Sequence, residues 1–399
     1  MIPDIEAVMV FPERFSDLPA ATWPRLRALL DVPTKASETI NMTIGEPRHA
    51  FPAFVGDILA ANLQGFAKYP DNNGLPDLLD AIGGFVKRRY GVDLPRAQLL
   101  TLNGTREGLY NAAMALCPED KNGRPIILSP NPFYPVYAVA ALSVGAEPVY
   151  VPATRETGHL PDFHALSSEI LDRTAIAYIC SPANPQGAVA DDTYWRDLIA
   201  LAEKHDFKIL ADECYSEIYR DTPPPGALQI ARSMDADPER VMIFHSLSKR
   251  SNLPGLRSGF CAGGPQSIAR LRQLRAFAGA PLPEPLQAVA TAVWNDEAHV
   301  VENRALYHRK YAIADDILGH IPGYQSPEAG FFLWLPIDDG EQAAVKLWQD
   351  TGVRTLPGAY LSREVNGDNP GKNYIRVAMV APTQEMQRGL TLIRDCLYD

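Results

Sequence analysis

From residue 99 onward the chain repeats one pattern: a short apolar run, a loop bearing polar residues or glycine, then a longer stretch with apolar residues at helical spacing. The apolar runs cover 99–102, 126–128, 147–151, 175–180, 208–211, 241–244 and 259–262. Strands that alternate with helices need crossover connections. The pattern therefore predicts an α/β fold with a mostly parallel seven-stranded sheet covered on both faces.

The flanks read differently. Residues 1–40 carry Pro12, Pro19, Pro24 and Pro33 around one predicted helix at 23–30, which describes an arm and not a core. Asn41-Met-Thr-Ile-Gly-Glu-Pro predicts a brief strand ending in Gly45, a glycine that lets a ligand or another backbone approach closely. A helix at 52–64, a turn-rich loop carrying Tyr69 and a helix at 76–90 follow. Beyond Pro281 one long helix is expected at 286–318, then short strands within 330–335, 353–358 and 373–378 with a helix at 341–349. These make a smaller α+β domain that holds Arg376 inside an apolar strand, where an unpaired guanidinium is costly. The expected division is an arm with part of the small domain at 1–45, a large domain at 46–285 and a small domain at 286–399.

In a parallel sheet the ligand crevice lies at the carboxyl ends of the strands. The polar clusters of this chain fall there. Asn103-Gly-Thr-Arg-Glu-Gly-Leu follows the first run, Pro130-Asn-Pro-Phe-Tyr-Pro-Val-Tyr the second and Ser181-Pro-Ala-Asn-Pro-Gln-Gly the fourth. Asp212-Glu-Cys-Tyr follows the fifth and Ser246-Leu-Ser-Lys the sixth. Each alone is an ordinary turn. Their common placement on one edge is the evidence for a site.

Composition narrows the function. A length of 399 residues exceeds one simple core, and 46% hydrophobic with 21% charged residues is ordinary globular composition. A net charge of -11 argues against a grip on nucleic acid or anionic membrane. Five widely spaced cysteines, mostly within apolar runs, read as buried thiols of a reducing compartment. The eight histidines show no metal spacing. No secretory signal and no apolar run of membrane-spanning length is present, so a cytoplasmic protein is expected.

The chemistry centres on Lys249, expected in a loop between two buried strands. A lysine there finds a partner, loses its proton or becomes covalently bound. Ser246, Ser248 and Arg257 gather hydroxyl and guanidinium donors around one anion, and Gly104, Thr105 and Arg106 open a helix whose amides suit a phosphate. These donors fit an amine nucleophile that binds a phosphate-bearing aldehyde. Asp212, at a strand end, can hold a ring nitrogen protonated; Asn184 and Tyr215 can meet a phenolic oxygen; Tyr134 or Phe133 can stack on the ring. Arg376 offers a forked cation for a substrate carboxylate.

Asn184-Pro-Gln-Gly, Asp212-Glu-Cys-Tyr, Ser246-Leu-Ser-Lys and Gly255-Leu-Arg-Ser-Gly, in that order, closely resemble the class I/II aminotransferases, fold type I enzymes dependent on pyridoxal 5′-phosphate. The resemblance implies Lys249 as the Schiff-base lysine, Asp212 at the pyridine nitrogen, Tyr215 and Asn184 at the phenolic oxygen and Tyr134 on the ring. It implies Thr105, Arg106, Ser246, Ser248 and Arg257 around the phosphate, and Gly45, Asn184 and Arg376 at the substrate carboxylate. It also implies a homodimer with shared active sites, in which Tyr69 reaches the neighbour's phosphate. Within the family, Lys249-Arg-Ser-Asn-Leu-Pro-Gly-Leu-Arg-Ser-Gly-Phe with Asn131-Pro-Phe-Tyr looks most like succinyldiaminopimelate aminotransferases of bacterial lysine synthesis, which use 2-oxoglutarate. Trp23-Pro-Arg-Leu-Arg departs from that subgroup's usual arm. The alternatives are an aminotransferase for aspartate, alanine, aromatic amino acids or LL-diaminopimelate, and a carbon-sulfur lyase with the same cofactor. A non-catalytic amino-acid sensor is opposed by Lys249 and Asp212, and a nicotinamide dehydrogenase by the lack of Gly-x-Gly-x-x-Gly.

Overall fold

The computed structural model describes residues 13–16 and 18–399. Residues 1–12 of the expected arm, with Pro12, lie outside the described residues. In chain order the strands are β1 Ile40–Asn41, β2 Leu99–Leu102, β3 Ile126–Asn131, β4 Glu147–Pro152, β5 Thr174–Cys180 and β6 Lys208–Asp212. They continue with β7 Val241–Ser246, β8 Gly259–Ala262, β9 Phe332–Pro336, β10 Val353–Arg354, β11 Leu356–Pro357 and β12 Tyr374–Ala378.

Seven of them form one sheet in the order β2-β8-β7-β6-β5-β3-β4. Only β8 runs against its neighbours β2 and β7, so the sheet is mostly parallel as its apolar runs require. Alternate residues feed two cores. Leu210, Met242 and Phe244 face one side with Leu109 and Tyr137, whereas Ile209, Ala211 and Ile243 face the other with Phe85 and Trp294. A smaller antiparallel sheet, β11-β12-β9, carries a third core with Tyr307, Tyr311 and Leu390, and β1 pairs with β10 beside it. Among the described residues no helix is long and apolar enough to cross a membrane.

Three expectations are corrected. The single helix expected at 286–318 is two helices, Glu284–Asn295 and Ala298–Leu318. The first buries Val289, Val293 and Trp294 in the core of the large sheet and the second buries Tyr307, Tyr311 and Leu318 in that of the small one, so the axis turns between them. The helix expected at 52–64 is a seven-residue helix, Val55–Ala61, followed by a 3-10 turn at Leu63–Ala67. Of the five cysteines only Cys180 and Cys261 are buried; Cys117, Cys214 and Cys396 sit at element ends or pocket walls, where the apolar run has already stopped.

Candidate active site

A cavity of about 240 Å³ opens at the carboxyl ends of β5, β6 and β7. Asp212, Asn184, Tyr215, Tyr134 and Lys249 line it, and so do Thr105, Arg106, Ser246, Ser248 and Arg257. Ten separate expectations thus meet in one space. Lys249 stands on a single helical turn, Leu247–Arg250, and not on the open loop expected. The turn forms because Ser246 caps it, its hydroxyl accepting the Ser248 amide at 3.1 Å.

Lys249 is half-buried, and its Nζ donates to the Gly45 carbonyl and lies 5.3 Å from the centre of the Phe331 ring. Burial lowers its pKa, because the ammonium form is poorly solvated there. Gly45 has to be glycine: a Cβ would stand 2.3 Å from the Phe332 ring. Asp212 closes β6, 4% exposed. Its Oδ2 accepts the Tyr137 hydroxyl at 3.1 Å and its Oδ1 the Cys214 amide at 3.4 Å. Burial raises the Asp212 pKa against those two donors.

Opposite these, the helix Thr105–Leu116 points its first turn into the cavity from Gly104, whose φ of +82° only glycine adopts readily. A Cβ at Gly104 would lie 2.3 Å from Arg257 Nη2. Arg257 donates to the carbonyls of Pro254 at 2.8 Å and Asn103 at 3.1 Å. Ser246 and Ser248 share a hydroxyl contact of 2.9 Å. Bare amides, two hydroxyls and a guanidinium around one recess are the donor set of a phosphate site.

Arg376, on β12, does not line the cavity itself but meets it through Asn184, which does. Its Nη1 donates to Asn184 Oδ1 at 3.0 Å and its Nη2 to the Thr43 carbonyl at 2.7 Å, while its Nε has no partner although buried. Burial pulls its pKa down to about 10, still charged at neutral pH. The guanidinium rests 4.2 Å above the Phe332 ring.

Among the described residues, Lys249, Asp212 and Arg376 form no ion pair. Asp212 and Arg376 are buried and Lys249 half-buried, none of them in an ion pair, and such groups call for a ligand that meets all three. An aldehyde for the amine, a protonated ring nitrogen for the carboxylate and a carboxylate for the guanidinium match pyridoxal phosphate with an amino acid.

Tyr134, not Phe133, reaches the cavity; Phe133 is buried 4.9 Å from the Tyr150 ring, and Arg106 Nε donates to the Tyr134 hydroxyl at 2.6 Å. Tyr69 is not brought to the others: it is fully exposed on this chain. Tyr137, Cys180, Cys214 and Pro254 line the cavity without having been singled out. Tyr137 had a signal, since it lies three residues after Tyr134 in a helix that starts at Pro135.

The model of the family "Aminotransferase class I and II" matches residues 37–393. An LL-diaminopimelate aminotransferase of Dehalococcoides mccartyi is 31% identical over 96% of this chain and 97% of its own. The crystal structure of an aminotransferase from Neisseria meningitidis superimposes with a TM-score of 0.92 at 34% identity, covering 96% of this chain and 99% of that one. A Thermus thermophilus protein described as a probable N-succinyldiaminopimelate aminotransferase gives a TM-score of 0.81 at 25% identity, over 90% of this chain and 95% of that one. The fold, the cavity and these likenesses converge, and the chain belongs to the class I and II aminotransferases, whose cofactor is pyridoxal phosphate.

Proposed function

We propose that this aminotransferase takes its amino group from LL-diaminopimelate and passes it to 2-oxoglutarate, with Lys249, Asp212 and Arg376 in the central roles. These three side chains, none of them in an ion pair, carry the chemical part of this reading. The name of the Dehalococcoides relative, matched over nearly the full length of both chains, supports the donor. A second reading, N-succinyl-LL-diaminopimelate as donor, is favoured by the stretch from Lys249 to Phe260 and by the Thermus neighbour, at lower identity.

Pyridoxal phosphate, when bound, supplies an aldehyde that takes up amines and a ring that withdraws electrons. Lys249 would hold the aldehyde carbon, and its lowered pKa keeps the neutral, nucleophilic amine accessible. Displaced by the donor's amine, Lys249 would move the proton at the substrate Cα. Asp212 would face the ring nitrogen and favour its charged form. Tyr215 and Asn184 would meet the phenolic oxygen, and Tyr134 the ring face. Thr105, Arg106, Ser246, Ser248 and Arg257 would hold the phosphate. Arg376, oriented by Asn184 and Thr43, would clamp the α-carboxylate beside Gly45. The large domain (46–285) then brings lysine and carboxylate, and the small domain (286–399) brings the arginine. Tyr69 would serve the neighbouring subunit of a cytoplasmic homodimer.

The test is a panel of amino donors offered to the loaded protein, read as loss of its visible band. LL-diaminopimelate should convert the cofactor fastest. Conversion by the N-succinyl derivative alone would select the second reading, and conversion by neither, with glutamate active, would sink both. Lys249→Ala should abolish the borohydride-sensitive band and all turnover.

A further inference from the structure

The three residues after Lys249 are each tied, side chain first, to the turn between the helices Glu284–Asn295 and Ala298–Leu318 or to the second of these helices. Arg250, 2% exposed, donates to the carbonyls of Val293 at 3.0 Å and Asp296 at 3.2 Å and to the Glu297 carboxylate at 2.9 Å. Ser251 Oγ lies 2.8 Å from His299 Nε2, and His299 Nδ1 meets the Asp296 carboxylate. Asn252 donates to Asn303 Oδ1 at 3.1 Å and to the Ala50 carbonyl at 3.1 Å. The same Asn303 oxygen meets His49 at 3.0 Å, on the segment that begins at Gly45, the partner of Lys249.

Asp296, His299 and Ser251 have the order of contacts of a nucleophilic serine. Ser251 is wholly buried, and a hydroxyl with no exposed surface meets no substrate. The contacts serve the lysine instead. We propose that His299, held by Asp296 and hydrogen-bonded to Ser251, is a positioning residue that fixes the helical turn carrying Lys249.

The protons can be assigned from the partners. The Asp296 carboxylate accepts, so His299 Nδ1 carries a hydrogen. Arg250 Nη1 donates to Ser251 Oγ at 3.3 Å, so the Ser251 hydroxyl is free to donate to a neutral Nε2. Protonated His299 would aim a second donor at Ser251 and leave the hydroxyl hydrogen without an acceptor. The charged groups around the ring are Asp296 and Glu297 from the junction and Arg250 from the lysine's own turn; the Phe54 ring meets it edge-on at 6.5 Å. Burial, ahead of the opposing Asp296 bond, keeps the His299 pKa below its usual value. The neutral form thus holds the turn at neutral pH, and the hold weakens as pH falls below that lowered pKa.

The inference rests on Lys249 being the residue that bonds the cofactor, and the experiment separates the two. Full-length His299→Asn, His299→Gln and Ser251→Ala are loaded with pyridoxal phosphate, and the pH dependence of the visible band is titrated alongside kcat and KM. Asn can meet Asp296 but does not reach Ser251; Gln reaches Ser251. H299N should lower kcat about tenfold with KM changed less than about twofold, and should move the band's titration by about half a pH unit or more. H299Q should stay within about twofold of wild type, and S251A should match H299N, the double variant being no worse than either single one. A wild-type band titration and kcat in H299N, or additive losses in the double variant, would overturn the proposal. If H299N does not fold, a wild-type titration in S251A overturns it equally. A borohydride-sensitive band that survives Lys249→Ala would instead remove the underlying reading.

Discussion

The Tyr137 hydroxyl donates to Asp212 Oδ2 at 3.1 Å, from a ring stacked 4.5 Å from that of Tyr178. That bond and the Cys214 contacts favour the charged carboxylate, while burial, the larger influence, opposes it. Tyr137→Phe removes one favourable donor, so the Asp212 pKa rises further and less carboxylate is ionised at acid pH. Affinity for pyridoxal phosphate should fall about tenfold at pH 6 and less at pH 8, followed by absorbance titration. Equal losses at both pH values would assign Tyr137 a packing role only.

Arg376→Lys keeps a charge but loses the fork that Asn184 and Thr43 hold in place. A point charge cannot match a carboxylate at two atoms, so kcat/KM should drop about a hundredfold for the amino donor and for the 2-oxo acid alike. Steady-state kinetics with both substrates checks this. A loss confined to one of them would place the arginine on a side chain and not on the shared α-carboxylate.

Tyr69 is entirely exposed, as are large parts of Leu63, Phe66 and Phe277. If Tyr69 completes the neighbour's phosphate site, Tyr69→Phe and Lys249→Ala chains should complement each other. Mixed and allowed to exchange, they form hybrids with one intact site in half of the dimers, restoring about a quarter of wild-type activity. Activity no greater than the sum of the separate variants would refute a shared site, and sedimentation should find twice the chain mass.

The strands were legible because a parallel sheet buried on both faces writes itself as short apolar runs: 99–102 and 259–262 match β2 and β8 to the residue. Arg376 stood out as a charge inside an apolar run, and Lys249 and Asp212 as charges in the loops that follow two buried strands. Tyr137 was not, since a tyrosine inside an apolar helix reads as core until its hydroxyl is seen on Asp212. The turn at Asp296 was hidden for a different reason. It is set by which of two cores each helix faces and by carbonyls that Arg250 claims from 43 and 46 residues away in sequence, and periodicity along one helix carries neither.

Lys310 supplies a stability test away from the cavity. It is wholly buried, donates to the Met379 carbonyl at 2.9 Å and lies 5.3 Å from the Tyr307 ring. Burial, with Arg48 adding to it, brings its pKa down to about 7. The unfolded chain, with Lys310 near its ordinary 10.5, binds more protons than the folded one above about pH 7, so stability rises with pH from about 7 to 10.5. Lys310→Met should raise the melting temperature at pH 6.5 and flatten that rise. A lower melting temperature at pH 6.5 with an unchanged slope would show that the Met379 bond outweighs the buried charge.

The pairing of β6 with β7 sets Asp212 opposite Phe244, two residues before Ser246, and sends Glu213 to His245, 2.9 Å away. Because successive side chains alternate, deleting one residue within β6 ahead of Asp212 would bring Glu213, committed to His245, to the place of Asp212. Scans of this chain should therefore find single-residue deletions inactivating along β6 even where substitutions are tolerated. The ladder acts as a frame, read one residue at a time, in which length is as informative as chemistry.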